Sequence, residues 1–367
     1  MRVAFVHDWL VSYRGGERVL EALIELYPDA PIYTLFYEPT SMPPSIRERD
    51  VRVVTSLKPF KRLRKILLPI LPFVVESLAL EGYDLVISTS SCVAKGAIVG
   101  PQGRHLCYLH SPMRYVWDQR AHYFESFLRI PILAQLVHIM GTWLRCWDTL
   151  SAARVDRFVC NSSFVAERVT RYYRREASVV PPPVEWSRFQ APPPARSARE
   201  PYFLAAGAFV SYKRFDLAIK AAKLSQKRLV IAGAGPEEAR LRALAGPETE
   251  FVLSPERDRW VSLMAGAEAL LFCGVEDFGI VAIEAMAAGT PVVALRAGGA
   301  LDFIRPGETG EFFAEPTAES LAEVLGSFSK AAFDGQLLRG FARQYDKVEF
   351  LQRMRHEIAL LAPSPPA

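Results

Sequence analysis

Two α/β domains, each built on a parallel sheet, are what this sequence predicts. Three observations predict them. Apolar runs of strand length alternate with helix-length segments along both halves of the chain, and glycine-rich turns follow several of those runs. A proline-rich stretch, Val179-Val-Pro-Pro-Pro followed by Pro192-Pro-Pro, separates the halves. Open sheets of this kind bind ligands beyond the carboxyl ends of their strands, so the expectation is two domains facing one another across a cleft. The boundaries read as a first domain over 1–180, a linker over 181–200 and a second domain over 201–339. The tail, helical over about 337–361, is expected to join the first domain through about 340–362.

Composition narrows the function classes. Half of the 367 residues are apolar and 23% are charged, which predicts a globular chain with sizeable cores. No run reaches the roughly 18 apolar residues of a spanning helix, and the chain enters a strand at once without a signal pattern, so it is expected in the cytoplasm. Five cysteines, Cys92, Cys107, Cys146, Cys160 and Cys273, lie far apart in apolar surroundings and read as reduced core thiols, with no metal site. The net charge of +4 is uneven: residues 1–190 carry +6 and 191–367 carry −2. That excess is too small and too diffuse for a nucleic-acid reader.

In the first half, Arg2-Val-Ala-Phe-Val-His7 reads as a buried strand, Gly15-Gly16 as a loop, and Glu17 to Leu26 as a helix. The glycine pair would let backbone approach a ligand, or simply make a turn; Asp8 and Arg14 lie beside it. Strands follow near 32–36 and 51–54. In Lys58-Pro-Phe-Lys-Arg-Leu-Arg-Lys-Ile-Leu-Leu-Pro-Ile-Leu-Pro-Phe73, five cations within eight residues abut large apolar side chains. The stretch 58–73 suits a seat on an anionic membrane surface and equally suits a solvated basic face. The apolar segment 130–144 reads as core, or as a second part of that surface. Strands at 83–88 and 106–109 follow, and the latter delivers His110-Ser-Pro-Met-Arg-Tyr-Val-Trp-Asp118. A histidine just beyond a parallel strand faces the crevice, although a lone loop histidine is more often structural than catalytic. Arg157 to Ser163, with a helix over 164–173, closes the domain.

The second half opens with the strand Tyr202 to Gly207, and Lys213 and Arg214 stand just ahead of the next helix. A diphosphate there would meet two cations and a helix dipole, and the pair equally suits a solvated turn. Leu229 to Pro236 is a strand ending in Gly-x-Gly-Pro, short of a dinucleotide fingerprint because the third glycine is lacking. A helix over 237–245 and a strand over 250–254 follow. The stretch 269–295 then reads strand, loop, helix over 280–288 stopped by Gly289, strand, with Glu276 and Glu284 flanking the helix start. Nearly every other residue of that helix is apolar, so Glu284 is a carboxylate on a buried element and needs a partner.

The run Glu276-Asp-Phe-Gly-Ile, with a second glutamate eight residues on at Glu284, resembles the Glu-x7-Glu signature of family 4 glycosyltransferases. His110 to Asp118 is similar to a segment of that family's bacterial mannosyltransferase-like branch. The resemblance covers nearly the whole chain and implies the GT-B fold, α/β with two Rossmann-like parallel-sheet domains facing across a cleft, the second binding the nucleotide sugar. It implies that Glu276 holds hydroxyls of the donor sugar, that backbone at Phe278, Gly279 and Ile280 holds the diphosphate, and that Glu284 holds the ribose. His110 becomes a polar contact to the sugar, Gly15 and Gly16 approach the donor phosphate, and Gly207, Gly233, Leu253 and Ser254 line the nucleotide pocket. Arg114 and Asp118 become acceptor-side groups. The family places an arginine directly after the glycine at 207; here Ala208 takes that place, which suggests Arg214 beside Lys213 as its substitute. With His110 and Glu276, these two cations complete the catalytic set.

The implied activity is a retaining, metal-independent hexosyl transfer with no cofactor, the leaving diphosphate being neutralised by Lys213, Arg214 and helix dipoles. GDP-mannose is the leading donor and a growing or polyprenyl-linked bacterial glycan the leading acceptor, which places the protein at the inner face of the cytoplasmic membrane. No carboxylate presents itself as a covalent nucleophile, so same-face attack assisted by the leaving phosphate is expected. A sugar-nucleotide epimerase on the same fold and a non-catalytic nucleotide-sugar binding protein remain as alternatives.

Overall fold

The computed structural model describes residues 1–54, 66–118, 131–190 and 201–361. The chain forms two units, Met1–Pro182 with Phe350–Ala367, and Pro183–Glu349.

In the first unit, strands β1 (Val3–His7), β2 (Ile32–Thr34), β3 (Val51–Val53), β4 (Leu85–Ser90), β5 (Arg104–Leu109), β6 (Arg157–Cys160) and β7 (Ala177–Val179) form a parallel sheet of order β3-β2-β1-β4-β5-β6-β7. Every residue of β1 and β4 is buried, as expected where helices cover both faces of a parallel sheet. Alternation splits their side chains between two cores. Phe5 and Ile87 pack with Leu20, Tyr108 and Phe350 on one face, while Val6 and Val86 pack with Leu71, Val75 and Leu144 on the other. Besides a single turn at Pro44–Arg47 and the C-terminal helix described below, its helices among the described residues are α1 (Gly15–Leu23), α2 (Leu71–Glu76), α3 (Pro131–Ala152) and α4 (Ser163–Tyr173).

Helix α1 begins at Gly15, so the glycine pair expected in a loop forms its first turn instead. The Arg14 N–H donates to Glu17 Oε2 at 2.9 Å, and this early cap draws the helix start back from Glu17. The helix stops at Leu23, short of the expected Leu26.

In the second unit, β8 (Phe203–Ala208), β9 (Leu229–Ala234), β10 (Thr249–Leu253), β11 (Leu270–Phe272), β12 (Val292–Leu295) and β13 (Gly310–Phe313) form a parallel sheet of order β10-β9-β8-β11-β12-β13. The chain builds outward from β8 on one side and then resumes at β11 on the other. The carboxyl ends of β8 and β11 therefore flank a topological switch point. Helices α5 (Phe215–Ser225), α6 (Glu238–Leu244), α7 (Arg257–Gly266), α8 (Ile280–Ala287) and α9 (Ala318–Ser327) cover the sheet. The Arg339 guanidinium donates to Ala288 O at 2.8 Å, closing the end of α8.

The tail is two helices, not one helical run. Helix α10 (Gly335–Arg343) packs on α8 within the second unit, and α11 (Lys347–Ala359) sends Phe350, Leu351, Met354 and Ile358 into the core of the first. Residues 183–190 seat themselves in the second unit, with Phe189 buried and the Val184 N–H donating to Tyr345 O; 191–200 lie outside the described residues. Four cysteines are buried as expected, and burial pushes the thiols of Cys107 and Cys273 up to about 12. Cys146 departs from the expectation: it is exposed, on the outer side of α3.

The basic residues 58–65 lie outside the described residues. Beyond them, Ile66, Ile70 and Phe73 are 51–67% exposed, and Ile132, Leu136 and Ile139 are 57–76% exposed along one face of α3. The Phe73 ring stacks on Trp143 with centroids 5.5 Å apart, joining the two segments. Among the described residues no helix is long and apolar enough to cross a membrane.

Candidate functional site

The second unit gathers charge at its switch point. Lys213 ends a short turn after β8, and its Nζ donates to Glu276 Oε1, in the loop after β11, at 2.6 Å. Gly207, with φ +131°, lies under this lysine. A Cβ there would stand 3.3 Å from Lys213 Cε and Nζ, so a larger residue would be strained and would crowd the ammonium. Gly233 is its register partner on β9. The Gly299 N–H donates to Glu276 O at 2.9 Å and holds the glutamate's backbone.

Arg214 stands beside Lys213 in sequence but is engaged differently. Its backbone is left-handed, φ 54°, and its guanidinium grips Asp216 through Nε at 3.1 Å and Nη2 at 3.2 Å. The structure thus brings Lys213 to Glu276 and ties Arg214 to its own helix.

Helix α8 starts immediately after Glu276, Asp277, Phe278 and Gly279, so its first backbone N–H groups point into the same region. The Phe278 side chain is core, against Phe303 and Tyr345, and only its backbone is available to a ligand. Ile280 is the first helical residue. Glu284, 4% exposed, has the partner that its burial demands: Trp260 Nε1 donates to its Oε2 at 3.0 Å. Leu253 ends β10 with its side chain exposed, and Ser254, at φ 42°, donates its N–H to Gly233 O at 3.0 Å.

The first unit holds a second polar cluster, at the carboxyl ends of β1, β4 and β5. His110 lies just past β5, its N–H bonded to Ser90 O at 2.8 Å and its carbonyl accepting from Asn161 Nδ2 at 3.0 Å. Its Nε2 is covered and has no hydrogen-bond partner among the described residues. Burial, with His7 and Arg114 nearby, pushes this imidazole down to about 3, so it is neutral at ordinary pH. A Cβ at Gly16 would stand 3.4 Å from that Nε2, in ordinary contact with the ring, so α1 passes directly over the imidazole.

His7, not singled out in the sequence, shares the cluster. Its Nδ1 is 2.6 Å from Thr89 Oγ1 and its Nε2 is 3.8 Å from Glu17 Oε1. A histidine closing the first strand, as His110 closes β5, was the available signal. Asp8 turns inward instead. Its carboxylate accepts the N–H groups of Ser91, Cys92, Val93 and Ala94 at 2.6–2.9 Å, so the loop after β4 is held by the chain's own anion.

The 110–118 loop is anchored at both ends. Asp118, expected on the acceptor side, is held on one oxygen by Arg168 and on the other by the Tyr172 hydroxyl at 2.5 Å. Arg114 Nε donates to Ser111 Oγ at 3.2 Å. Trp117 Nε1 donates at 2.8 Å to Asp148, which also accepts from Tyr173 at 2.8 Å. Asp148 in turn pairs with Lys95 at 3.1 Å, and both side chains are 0% exposed. The two residues stand 53 positions apart in the sequence, and no local pattern links them.

Among the described residues no group of three His, Cys, Asp or Glu side chains is placed to hold a metal ion.

Comparison with known proteins fits this arrangement. A model described as Glycosyltransferase Family 4 matches residues 13–188, and one described as Glycosyl transferases group 1 matches residues 188–334. A D-inositol 3-phosphate glycosyltransferase of Acidothermus cellulolyticus is 33% identical over 224 residues, covering 53% of this chain and 49% of the relative. A GDP-mannose-dependent alpha-(1-6)-phosphatidylinositol dimannoside mannosyltransferase of Mycobacterium tuberculosis is 33% identical over 163 residues, 40% of this chain and 42% of the relative. The chain spans about half the length of the curated relatives it matches. Among solved structures, Anabaena Alr3699/HepE in complex with UDP superposes with a TM-score of 0.73 at 17% identity, covering 98% of this chain and 100% of that one. The sucrose-phosphate synthase of Thermosynechococcus elongatus does so with a TM-score of 0.73 at 19% identity, covering 99% and 100%. The two family models meet at residue 188 and leave only the chain's ends unmatched, so this chain belongs to the family 4 glycosyltransferases and its two parallel sheets are those of the GT-B fold.

Proposed function

We propose that the chain is a retaining glycosyltransferase that moves mannose from GDP-mannose to a lipid-linked or growing bacterial glycan. The observation that carries the transferase reading is the Lys213–Glu276 pair at the switch point, 2.6 Å apart and directly ahead of α8. Breaking the donor bond leaves negative charge on the diphosphate and positive charge on the sugar. A lysine and helix N–H groups on the first, with a carboxylate on the sugar hydroxyls, are complementary to that charge separation. Arg214 is the second cation of the reading, Glu284 takes the ribose, and neutral His110 takes a sugar hydroxyl. Asp118, held on both oxygens, serves to fix the loop that carries Arg114. Guanine and mannose are favoured by the segments 106–118 and 202–221 and by the mannosyltransferase among the relatives, against the UDP seen with Alr3699/HepE. The absence of Asp-x-Asp from the sequence supports a metal-independent reaction.

Isothermal titration with GDP, UDP, ADP and their mannose and glucose conjugates, with and without magnesium, tests the donor. Micromolar binding of GDP conjugates without metal, weakened by Lys213→Ala and Glu284→Ala, is expected. Binding of no nucleotide under either condition overturns the reading.

The same reading seats the protein on the inner face of the cytoplasmic membrane. Ile66, Ile70 and Phe73 with Ile132, Leu136 and Ile139 form an exposed apolar face, and the five cations of 58–65 precede it in sequence. Phe73→Ser with Leu136→Ser should lower co-sedimentation with phosphatidylglycerol-containing vesicles at least fivefold. Equal sedimentation of the variant refutes this seat.

A further inference from the structure

Glu284 is a carboxylate on an otherwise apolar helix, and what fixes it comes from α7. Trp260, in the first turn of α7, donates its indole N–H to Glu284 Oε2 at 3.0 Å while its ring packs against the core beneath α8. An indole N–H is a donor only, so the bond has one possible sense and the packed ring has one orientation. The carboxylate is thereby held in a defined rotation. Helix α7 is also the continuation of the chain after Leu253 and Ser254, with only residues 255 and 256 between. The indole therefore ties the end of β10 to the glutamate of α8.

We infer that Trp260 is a positioning residue for the donor nucleotide, orienting Glu284 so that its carboxylate receives the ribose diol. The inference rests on the ribose role proposed for Glu284. It predicts that removing the indole N–H costs affinity only where the ligand has a diol to offer.

The experiment titrates GDP and UDP, each beside its 2′,3′-dideoxy counterpart, into the wild-type protein, Trp260→Phe, Glu284→Gln and the double variant. Trp260→Phe should weaken the ribonucleotide about tenfold and the dideoxynucleotide less than twofold. The double variant should bind no more weakly than Glu284→Gln alone. Wild-type affinity of Trp260→Phe for the dideoxynucleotide also certifies its fold. If phenylalanine is not tolerated, Trp260→Met also removes the donor, and its loss of affinity should again be confined to the ribonucleotide. Equal weakening of both ligands means that the indole serves only as packing, and no weakening of either means that it does nothing for the nucleotide; each overturns the inference. Should Glu284→Gln itself fail to distinguish the two ligands, the ribose role of Glu284 falls first.

Discussion

Replacing Lys95 by methionine is the sharpest test of the first unit. The ammonium makes three polar contacts, with Asp148 O at 2.6 Å, Ser151 Oγ at 2.5 Å and Asp148 Oδ1 at 3.1 Å. It also lies 5.2 Å and 4.9 Å from the ring centroids of Trp147 and Tyr173. Methionine fills most of the volume but leaves the Asp148 charge in a dry site with only the neutral donors of Trp117 and Tyr173. Breaking a buried pair on one side costs about 3–5 kcal/mol. Adding Asp148→Asn removes the stranded charge and keeps an acceptor for the two donors, so the double variant should recover roughly half of that loss. With two units in the chain a single unfolding transition is not assured, so amide hydrogen exchange of β4 and β5 is the suitable assay, with β8 and β9 as internal reference. Protection of β4 and β5 should fall about 100-fold to 3,000-fold in Lys95→Met, taking 1.4 kcal/mol per factor of ten, with β8 and β9 unchanged. A fall of less than about threefold, or a double variant less protected than the single one, would refute the reasoning.

Further outcomes follow from the same geometry. Burial holds His105 down to about 4 against an ordinary 6.5, so the unfolded chain takes up a proton that the folded chain refuses. Stability should therefore fall as pH drops from about 6.5 to 4, by on the order of 3 kcal/mol, and His105→Gln should flatten urea-unfolding midpoints across that window. Gly16→Ala should stabilise α1 by up to about 1 kcal/mol, whereas Gly16→Val should push the His110 ring aside and lower sugar transfer at least tenfold with the far-UV spectrum unchanged. Lys213→Ala should lower kcat at least 100-fold, and Arg214→Ala less than tenfold because Asp216 already holds that guanidinium; single-turnover rates decide the ranking.

The sheets were legible because their strands are short, largely apolar and often followed by glycine-rich turns, and those features are local. Glu284 was legible because a carboxylate on an otherwise apolar helix is conspicuous in one dimension, and Glu276 because it stands eight residues before it in the Glu-x7-Glu pattern. The pairings they make were not. Lys213 stands 63 residues before Glu276, Trp260 stands 24 before Glu284, and Lys95 stands 53 from the carbonyl of Asp148 that it reaches. Only the folded sheet order brings such residues together. The break between α10 and α11 escaped notice because Gln344, Tyr345 and Asp346 include neither glycine nor proline. It is a tertiary effect: Tyr345 is buried between the helices and its carbonyl receives the Val184 N–H. The grip of Arg168 and Tyr172 on Asp118 was not legible because both partners lie at least fifty residues further along the chain.

The seating of α11 in the first unit bears on how the protein emerges from the ribosome. Phe350, Leu351, Met354 and Ile358 complete a core whose other members lie between Val3 and Val180. Synthesis delivers those first members early, yet the apolar face they share stays open until the intervening 167-residue unit, Pro183–Glu349, has been made. The second unit can close as soon as its own chain is out, while the first must wait with the part of one sheet face beside α1 still uncovered. A nascent chain stalled in that interval is the species that holdase chaperones would bind.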